Sequence, residues 1–420
     1  MGEPTLHVAF FNRSFHPETT ATGQLLTELC ETLVHDHGCR VSVVAGTPGR
    51  DGLPGGRWIL RRERHQGIEI LRARGTRLPK RRFVGRAANY VTYFLSACYA
   101  GLRLDRPDVV VALTDPPIIG LAAWLAARRF RVPFVMSYRD IFPEVARVLD
   151  DFHSQTVERV LEAVNRFLVA RAAVNVTLGD TMRRRLIDGK GAPAPRTIVI
   201  PDWTDCTAIT PGDKVNPFSV THGLTRTFVV MHSGNIGLSQ SLETVVEAAA
   251  LLRGVPDIVF VFVGDGVKRP ALEQLVQHHA LSNVVFLPYQ PKAALTQSFA
   301  AADVFIVSLE AGLSGYIVPS KLYGILAAGR PYIAAVEEDS EAVAIARKYE
   351  CGLVAAPGKS RELADRILEL YHDRELAGRL GASARRAALA FDRADHVRAY
   401  HELFLEVCGR RGGRGDRAPS

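Results

Sequence analysis

Residues 228–252 read FVVMHSGNIGLSQSLETVVEAAALL, and their pattern indicates the fold class. It begins with an apolar run at 228–231 that predicts a buried strand. It continues through a polar loop with two glycines and ends in helical spacing of apolar residues over 242–252. A strand, a short loop and a helix in this order form half of a βαβ unit, whose strands pair in parallel.

The same alternation runs through most of the chain. Before residue 205, apolar runs that predict strands lie at 6–11, 41–45, 68–72, 109–113, 134–137, 173–177 and 197–200. After residue 225 they lie at 228–231, 259–263, 284–287, 304–307 and 332–335, with helical patterns between them. The segment 207–224 is rich in turn-forming residues and predicts a linker. The pattern therefore predicts an α/β chain of two doubly wound, Rossmann-like domains, residues 1–206 and 207–395.

Composition and charge narrow the function classes only in part. The 420 residues are 47% hydrophobic and 23% charged, and 52 Lys and Arg against 44 Asp and Glu give a net charge of +8. This excess fits an anionic ligand, an anionic membrane surface or a nucleic acid, and equally a solvated basic face with no partner. The six cysteines form no Cys-x-x-Cys pair, which predicts reduced thiols without a zinc site or a disulfide framework.

Targeting signals are not evident in the sequence. No apolar run is long enough to indicate a membrane span, and the first residues lack the pattern of a cleaved signal. We therefore expect a cytoplasmic protein. The chain ends in GRRGGRGDRAPS at 409–420, whose composition predicts a disordered tail.

Two glycine-rich loops follow predicted strands of the second domain. The first, HSGNIGLSQ at 232–240, offers Gly234, Asn235 and Gln240. Glycines between a strand and a helix allow close backbone approach to an anion, although an ordinary loop explains them as well. The loop is not the G-x-G-x-x-G fingerprint, which disfavours NAD.

The second loop, VGDGVKR at 263–269, has the same position relative to a strand and a helix. Its two glycines are Gly264 and Gly266, and its two cations are Lys268 and Arg269. These cations could reach a diphosphate, or they could be solvated residues beside a Gly-Asp-Gly turn.

A third segment, GLSGYIVPSK at 312–321, leads into a predicted helix. It carries Ser314, Ser320 and Lys321. The unpaired amides of a helix start, together with one cation, predict a diphosphate cradle. Helix capping alone is the alternative interpretation.

Charged residues also follow two strands of the first domain. Arg139, Asp140 and Glu144 come after the run at 134–137, and Asp115 comes after the run at 109–113. Because ligands bind at the carboxyl ends of parallel strands, we predict that these carboxylates lie near an acceptor substrate. A structural ion pair between Arg139 and Asp140 is the alternative.

A basic and aromatic region lies at 72–103. Its basic residues are Arg72, Arg74, Arg77, Lys80, Arg81, Arg82 and Arg86, and its apolar residues include Phe83, Val84, Tyr90, Val91, Tyr93, Phe94 and Leu95. Such a region suits an anionic membrane surface, to which the protein would bind peripherally. A core helix beside a solvated basic loop explains it equally well, and a nucleic-acid patch is a weaker third interpretation. We predict no nucleic-acid partner.

The sequence resembles glycosyltransferase family 4, and within it the WbuB-like enzymes of bacterial surface-polysaccharide assembly. Four stretches carry the resemblance: RDIFPE at 139–144, SGNIGLSQ at 233–240, VGDG at 263–266 and VPSKLYGILAAGRP at 318–331. The resemblance implies the GT-B fold, in which two Rossmann-like domains face each other across a cleft. It also implies that the final helix, 396–408, crosses back to the first domain.

The resemblance implies a function as well. The reaction would be a retaining transfer from a nucleotide diphosphate sugar, most often a UDP-sugar such as a UDP-N-acetylamino sugar. The second domain would bind the donor without a metal or cofactor, and the acceptor would be a polyprenyl diphosphate-linked or other glycan. Pro319, Ser320 and Lys321 would face the diphosphate, Tyr289 the base and Glu341 the ribose, and Leu322 would also belong to the donor site. Gly23 and Asp115 would lie on the acceptor side, with Arg139, Asp140 and Glu144 as catalytic residues.

Some family residues are replaced. Many members carry two glutamates eight positions apart where this chain has Tyr316 and Gly324, and an arginine and a lysine where it has Asn235 and Gln240. We therefore hypothesise that Lys268, Arg269 and Lys321 supply the missing positive charge. The replacements leave two alternative functions open: a sugar-nucleotide epimerase of the same fold, and a non-catalytic scaffold of a polysaccharide assembly complex.

Overall fold

The computed structural model describes residues 5–18, 20–48, 59–76, 78, 83–149 and 154–409. The chain divides into two units: unit 1 is Met1–Pro201 with Ala394–Ser420, and unit 2 is Asp202–Arg393. The predicted tail lies outside the described residues from position 410 onward. None of the described helices combines the length and the apolar character that crossing a membrane requires.

Unit 1 contains an eight-stranded sheet with the order β3-β4-β2-β1-β5-β6-β7-β8. Its strands are β1 (His7–Phe11), β2 (Arg40–Gly46), β3 (Leu60–His65), β4 (Ile68–Ala73), β5 (Val109–Ala112), β6 (Phe134–Ser137), β7 (Val174–Thr177) and β8 (Thr197–Val199). Only β3 runs antiparallel to its neighbour; the other pairs are parallel. The central strands are buried on both faces, which explains their continuous apolar runs.

Helices cover both faces of this sheet. They are α1 (Ala21–His35), α2 (Phe83–Leu102), α3 (Ile119–Phe130), α4 (Glu144–Val148), α5 (Gln155–Arg171), α6 (Asp180–Lys190) and the last helix of the chain, α15 (Arg393–Val407). The last helix packs on unit 1, because the Tyr400 hydroxyl lies 3.1 Å from the Ser137 hydroxyl. The Phe404 ring also meets the Phe10 ring edge-on, with centroids 6.0 Å apart.

Unit 2 contains a six-stranded sheet in which every pair is parallel, with the order β11-β10-β9-β12-β13-β14. Its strands are β9 (Phe228–Ser233), β10 (Ile258–Val263), β11 (Val284–Leu287), β12 (Val304–Ser308), β13 (Tyr332–Ala335) and β14 (Gly352–Ala355). Its helices are α7 (Pro217–Thr221), α8 (Glu243–Leu251), α9 (Arg269–His278), α10 (Leu295–Ala300), α11 (Lys321–Ala327), α12 (Glu341–Tyr349), α13 (Ser360–His372) and α14 (Arg374–Ala388).

The β9 strand shows why both faces of this sheet need helices. Val229 and Met231 point into one hydrophobic cluster, whereas Phe228 and Val230 point into another on the opposite face. Side chains of a strand alternate between the two faces, so a strand that is apolar at every position must be covered on both. The GT-B fold, with its two Rossmann-like α/β sheets, is confirmed.

Four elements were not predicted from the sequence: β3, α4, α7 and β14. The β3 segment reads LRRERH, and its polar side chains are mostly exposed, so it lacks the apolar run of a buried strand. Both β3 and β14 lie at sheet edges. The short α7 lies inside the segment that we interpreted as a linker.

One residue of the basic region was interpreted wrongly. Arg72, expected on the surface, is only 1% exposed, and its guanidinium is bound to Glu63 of β3 at 3.0 Å. It cannot belong to a membrane-facing surface, because it bridges two strands inside unit 1. Arg77, Lys80, Arg81 and Arg82 of the same region lie outside the described residues, as do the side chains of Phe83, Val84 and Arg86.

Candidate active site

The predicted donor residues of unit 2 gather at one edge of its sheet. Because all six strands are parallel, the loops after β9, β10, β11, β12 and β13 leave the sheet at its carboxyl edge. Gly234, Gly264 and Tyr289 lie in the first three of these loops, and Lys321 and Glu341 begin the helices that follow the other two. In doubly wound sheets this edge is the usual ligand site.

The two glycine-rich loops touch through their backbones. Gly264 has a φ of +147°, and a Cβ at this position would overlap the Gly234 carbonyl oxygen. A Cβ on Gly266 would likewise overlap the Ile236 carbonyl. The Ile236 amide donates to the Asp265 carbonyl at 2.9 Å. Glycine is therefore required here so that the two loops can pack together and expose backbone instead of side chains.

Lys321, the first residue of α11, extends toward this pair of loops. Its Nζ atom lies 3.3 Å from Nε2 of His232 in β9. The same Nζ lies 3.7 Å from the position that a Cβ on Gly234 would occupy. The cation at the start of α11 and the open backbone of the first glycine loop therefore meet at the carboxyl edge of the sheet.

The electrostatic environment of Lys321 is unusual. Burial lowers the pKa of its ammonium to about 7. Among the described residues, no carboxylate lies within ion-pair distance of Nζ, and the one hydrogen-bond contact is with His232. Burial, followed by the charge of Lys321, lowers the pKa of His232 well below its usual value, so this ring is neutral near pH 7. A desolvated cation without a counter-charge favours binding of an anion.

The other two predicted cations are paired with carboxylates. Lys268 lies 2.8 Å from Glu243, and Arg269 lies 2.8 Å from Glu273, one turn further along α9. Arg269 also donates to the Gly264 carbonyl at 2.9 Å. This hydrogen bond fixes the position of the second glycine-rich loop. The structure therefore places Lys321, and neither Lys268 nor Arg269, as an uncompensated cation.

The polar residues of the first glycine loop point in different directions. Gln240 turns back into its own loop, where its Oε1 accepts the Gly237 amide at 2.9 Å. Asn235, by contrast, is exposed. The Tyr289 hydroxyl donates to the Asp265 carbonyl at 3.2 Å, which places its ring beside the second glycine loop.

The segment before α11 is held by one carboxylate. Glu337 Oε2 accepts the amides of Gly312 at 3.0 Å and Ser314 at 3.2 Å. The Ser314 hydroxyl is buried and has no hydrogen-bond partner within the described part of the chain. Ser320 precedes α11 without a side-chain cap.

Three further predicted donor residues lie around this segment. The Leu322 amide donates to the Pro319 carbonyl at 3.2 Å, and the Leu322 side chain is buried in the core. The buried Glu341 begins α12 at the same edge of the sheet.

In unit 1, Asp115 lies at the corresponding carboxyl edge but is already paired. Its Oδ1 accepts from Arg13 Nε at 3.1 Å, and its Oδ2 accepts from the Ser14 hydroxyl at 2.7 Å. Gly23 is buried in the first turn of α1, where a Cβ would lie 2.9 Å from the Thr20 hydroxyl. The Asp115 carboxylate therefore orders the loop after β1.

The predicted catalytic residues of unit 1 separate into two environments. Arg139 and Asp140 follow β6, and both backbone amides donate to the Thr114 hydroxyl at 3.3 Å. Glu144 binds Lys190 of α6 at 2.7 Å, and this lysine, only 1% exposed at its side chain, also contacts Glu162 of α5. Glu144 thus belongs to a network that joins three helices.

Sequence reasoning missed His232 as a site residue. We interpreted it only as the first residue of a loop, although the structure places it inside β9. A histidine at the end of an otherwise apolar strand, directly before a glycine loop, was the available signal. Arg13 and Ser14 were also missed, because their partner Asp115 lies about a hundred residues away in the chain.

Each of the two units matches a known protein family. Residues 20–203 match the family described as "Glycosyl transferase 4-like domain", and residues 219–387 match "Glycosyl transferases group 1". The chain belongs to the family 4-like glycosyltransferases. The two matched regions fall on the two units, and the glycine loops and Lys321 lie inside the second.

Curated relatives carry related names. The putative colanic acid biosynthesis glycosyl transferase WcaI of Escherichia coli is 31% identical over 168 residues, which cover 39% of this chain and 41% of that protein. The probable glycosyltransferase WbjE of Pseudomonas aeruginosa is 28% identical over 287 residues, which cover 66% of this chain and 70% of that protein. The match to WcaI thus spans about two fifths of that relative.

Solved structures show the same fold. Sucrose-phosphate synthase of Thermosynechococcus elongatus superposes with a TM-score of 0.77 at 17% identity, covering 96% of this glycosyltransferase and 99% of that chain. HepE of Anabaena in complex with UDP superposes with a TM-score of 0.72 at 18% identity, covering 96% and 100%.

Proposed function

We propose that this glycosyltransferase moves a sugar from a nucleotide diphosphate donor to a glycan acceptor, with Lys321 binding the donor diphosphate. The observation that carries the proposal is the Lys321 ammonium, 3.3 Å from a neutral histidine and without a carboxylate partner among the described residues. The ammonium lies beside Gly234, where the loop presents its backbone and no side chain. A diphosphate would supply the counter-charge that the protein lacks there.

The chemistry of sugar transfer explains why such a cation is useful. As the bond between the anomeric carbon and the phosphate oxygen breaks, negative charge develops on the leaving diphosphate. A fixed cation in a partly dehydrated site stabilises that charge more strongly than water does, because it needs no reorganisation. We propose that the Lys321 ammonium fulfils this role without a metal ion or another cofactor.

We further propose that the reaction retains the anomeric configuration. The acceptor oxygen would attack the same face of the sugar from which the diphosphate departs. The new bond would join the acceptor oxygen to the anomeric carbon, and the acceptor proton would pass to a departing phosphate oxygen. This route requires no protein nucleophile at the anomeric carbon.

Several other residues would contribute to the donor site. Gly234, Gly264 and Gly266 would admit the donor close to the backbone, and Ser314, with its unpartnered buried hydroxyl, would bind a donor oxygen. Tyr289 would contact the base and Glu341 the ribose. Asn235 would line the open side of the first glycine loop.

The acceptor would be bound by unit 1. Asp140 and Arg139 follow β6 at the carboxyl edge of the sheet, where the acceptor hydroxyl would be oriented. The Glu144 carboxylate already forms an ion pair with Lys190. We therefore propose Asp140 as the carboxylate on the acceptor side, with Asp115 ordering the neighbouring loop.

The names of relatives support a more specific assignment. WcaI is named for colanic acid biosynthesis, and three solved HepE structures hold UDP, UDP with glucose, or UDP-glucose. We propose a UDP-sugar donor, such as a UDP-N-acetylamino sugar, and a polyprenyl diphosphate-linked glycan acceptor in bacterial surface-polysaccharide synthesis.

A donor screen tests this proposal. Purified protein is incubated with a panel of UDP-, GDP- and dTDP-sugars, and thermal shift and released nucleoside diphosphate are measured. Because a ligand that binds the native state raises its apparent stability, one donor class should raise the unfolding temperature, with slow release of its nucleotide. EDTA should leave that release unchanged.

The alternatives give different results in the same screen. A sugar-nucleotide epimerase would convert the donor sugar without an acceptor and leave an altered sugar that product analysis detects. A scaffold would bind no nucleotide and show no shift with any member of the panel.

A further inference from the structure

The outer face of α2 is an exposed apolar stripe. Val91, Leu95, Tyr99 and Leu102 are 49%, 60%, 40% and 54% exposed, respectively. These positions recur every three or four residues, so they share one side of the helix. The opposite side of α2, with Tyr93 and Ala97, is buried against the sheet. The stripe extends over about 17 Å at 1.5 Å per residue.

Charged groups do not interrupt this stripe. Residues 87–102 contain no charged side chain. The Thr92 hydroxyl donates to the Ala88 carbonyl at 2.7 Å, and the Ser96 hydroxyl donates to the Arg74 carbonyl at 2.6 Å. These two hydroxyls thus bond to the protein's own backbone. A surface helix in a soluble protein normally has charged residues on its outer side, so this face is built for an apolar partner.

The adjacent helices continue this surface. Gly101 of α2 packs closely on α3, where an added Cβ would lie 3.3 Å from the Ala126 Cβ. On α3, Leu125 is another exposed apolar side chain. Trp124 of α3 meets Phe167 of α5 edge-on at 4.8 Å. The three helices therefore form one continuous layer on unit 1.

Four arginines mark one end of this layer. They are Arg103 just after α2, Arg128 and Arg129 in the last turn of α3, and Arg171 at the end of α5. All four are exposed, and each guanidinium lies over an aromatic ring at 5.0 to 5.5 Å. Within the described part of the chain, none of them has a carboxylate partner. The layer thus combines an apolar face with a row of uncompensated positive charge.

We propose that the outer face of α2, with the arginine row at the ends of α2, α3 and α5, docks on an anionic lipid bilayer. Apolar side chains would enter the interfacial region, and the guanidinium groups would pair with lipid phosphates. The charge argues for an anionic lipid surface, because its phosphates would supply the counter-charge that the four arginines lack within the described part of the chain.

Vesicle flotation tests this proposal with the full-length protein. Wild-type protein should bind vesicles of phosphatidylcholine mixed with phosphatidylglycerol, and should not bind phosphatidylcholine alone. Leu95→Glu should weaken binding at least roughly tenfold, since it removes an inserted leucine and adds a negative charge. The matched control is Leu251→Glu, which changes an exposed leucine on α8 of unit 2 and should bind as wild type does.

The arginine row is tested separately. Arg128→Gln and Arg129→Gln should each weaken vesicle binding roughly fivefold, whereas Arg379→Gln, at an exposed ion pair on α14, should have no effect. Circular dichroism establishes that each variant is folded, and UDP affinity without vesicles should be the same in all of them. Loss of UDP binding would concern the proposed function and leave the docking surface untouched.

Three results would overturn the docking proposal. The first is the absence of wild-type binding to anionic vesicles. The second is wild-type-like vesicle binding by Leu95→Glu. The third is a concentration-dependent dimer in analytical ultracentrifugation that Leu95→Glu dissociates, because the stripe would then bind a second copy of the chain.

Discussion

The Nζ atom of Lys321 lies 3.3 Å from Nε2 of His232, with the Gly234 backbone beside them. A neutral histidine can accept a hydrogen bond from an ammonium, but it cannot neutralise its charge. The ammonium is therefore oriented without being compensated. A donor diphosphate would complete the site.

Donor affinity should depend on pH through Lys321. Burial lowers the pKa of this ammonium to about 7, so in the free protein it loses its proton as the pH rises through that value. The diphosphate favours the charged form, so binding takes up a proton above about pH 7. Affinity for UDP should consequently fall by up to roughly tenfold per pH unit there.

Isothermal titration calorimetry checks this prediction in two buffers of different ionisation enthalpy. The difference in apparent binding enthalpy measures the proton uptake. Lys321→Met is the control, and its UDP affinity should not vary with pH in that range. Equal pH dependence in both proteins would show that another group titrates.

His232 should set the pH at which this change occurs. His232→Phe removes the only hydrogen-bond partner that the described residues provide to the Lys321 ammonium. The pKa of Lys321 should then fall further, and the midpoint of the pH profile should move to lower pH. His232→Gln keeps an acceptor and should restore the midpoint in part. Unchanged midpoints in both variants would contradict the orienting role of His232.

Gly264 should tolerate no side chain. A Cβ there would overlap the Gly234 carbonyl, and its φ of +147° is one that other residues rarely adopt. Gly264→Ala should therefore lower the free energy of unfolding by about 2 kcal/mol or more and abolish UDP binding. Gly254→Ala is the control, since a Cβ there meets nothing within 4 Å. Thermal unfolding with and without UDP measures both effects, and an unaffected Gly264→Ala protein would refute the close packing of the loops.

Glu144 should be important for stability instead of turnover. Its carboxylate binds the buried Lys190 at 2.7 Å, so Glu144→Gln should lower the free energy of unfolding by about 1–3 kcal/mol. Glu158→Gln, at the more exposed pair with Arg147, should cost less than about 1 kcal/mol. Denaturant unfolding and nucleotide release per folded molecule are the measurements. If Glu144→Gln stays stable but stops turnover, the sequence-based assignment of Glu144 as catalytic is the better one.

Most of the fold could be predicted from the sequence, because the buried strands have continuous apolar runs. Such runs need no knowledge of their partners, and the β9 and β10 segments were predicted directly from them. The β3 strand could not be found in this way. It is an exposed edge strand, and its pairing with β4 is visible only once β4 has a free edge.

The candidate site was predictable where it depends on local sequence. The glycine loops and Lys321 follow strands and are found by their order along the chain. Whether each charged side chain is paired with an opposite charge was not predictable, because the pairing depends on residues that the fold brings together. Lys268 meets Glu243 from another helix, and Arg72 meets Glu63 of the unpredicted strand. The pair of Arg269 and Glu273 is the exception, since it has helical i,i+4 spacing.

The proposed binding of the donor diphosphate by Lys321 is tested by comparing the affinities of UDP and uridine for three proteins. Wild-type protein should bind UDP much more tightly than uridine, and Lys321→Met should lose roughly tenfold to hundredfold of that preference. Lys268→Met, whose lysine is already paired with Glu243, should keep it. If Lys321→Met retains the full preference for UDP, the diphosphate is bound elsewhere and Lys321 does not have the proposed role.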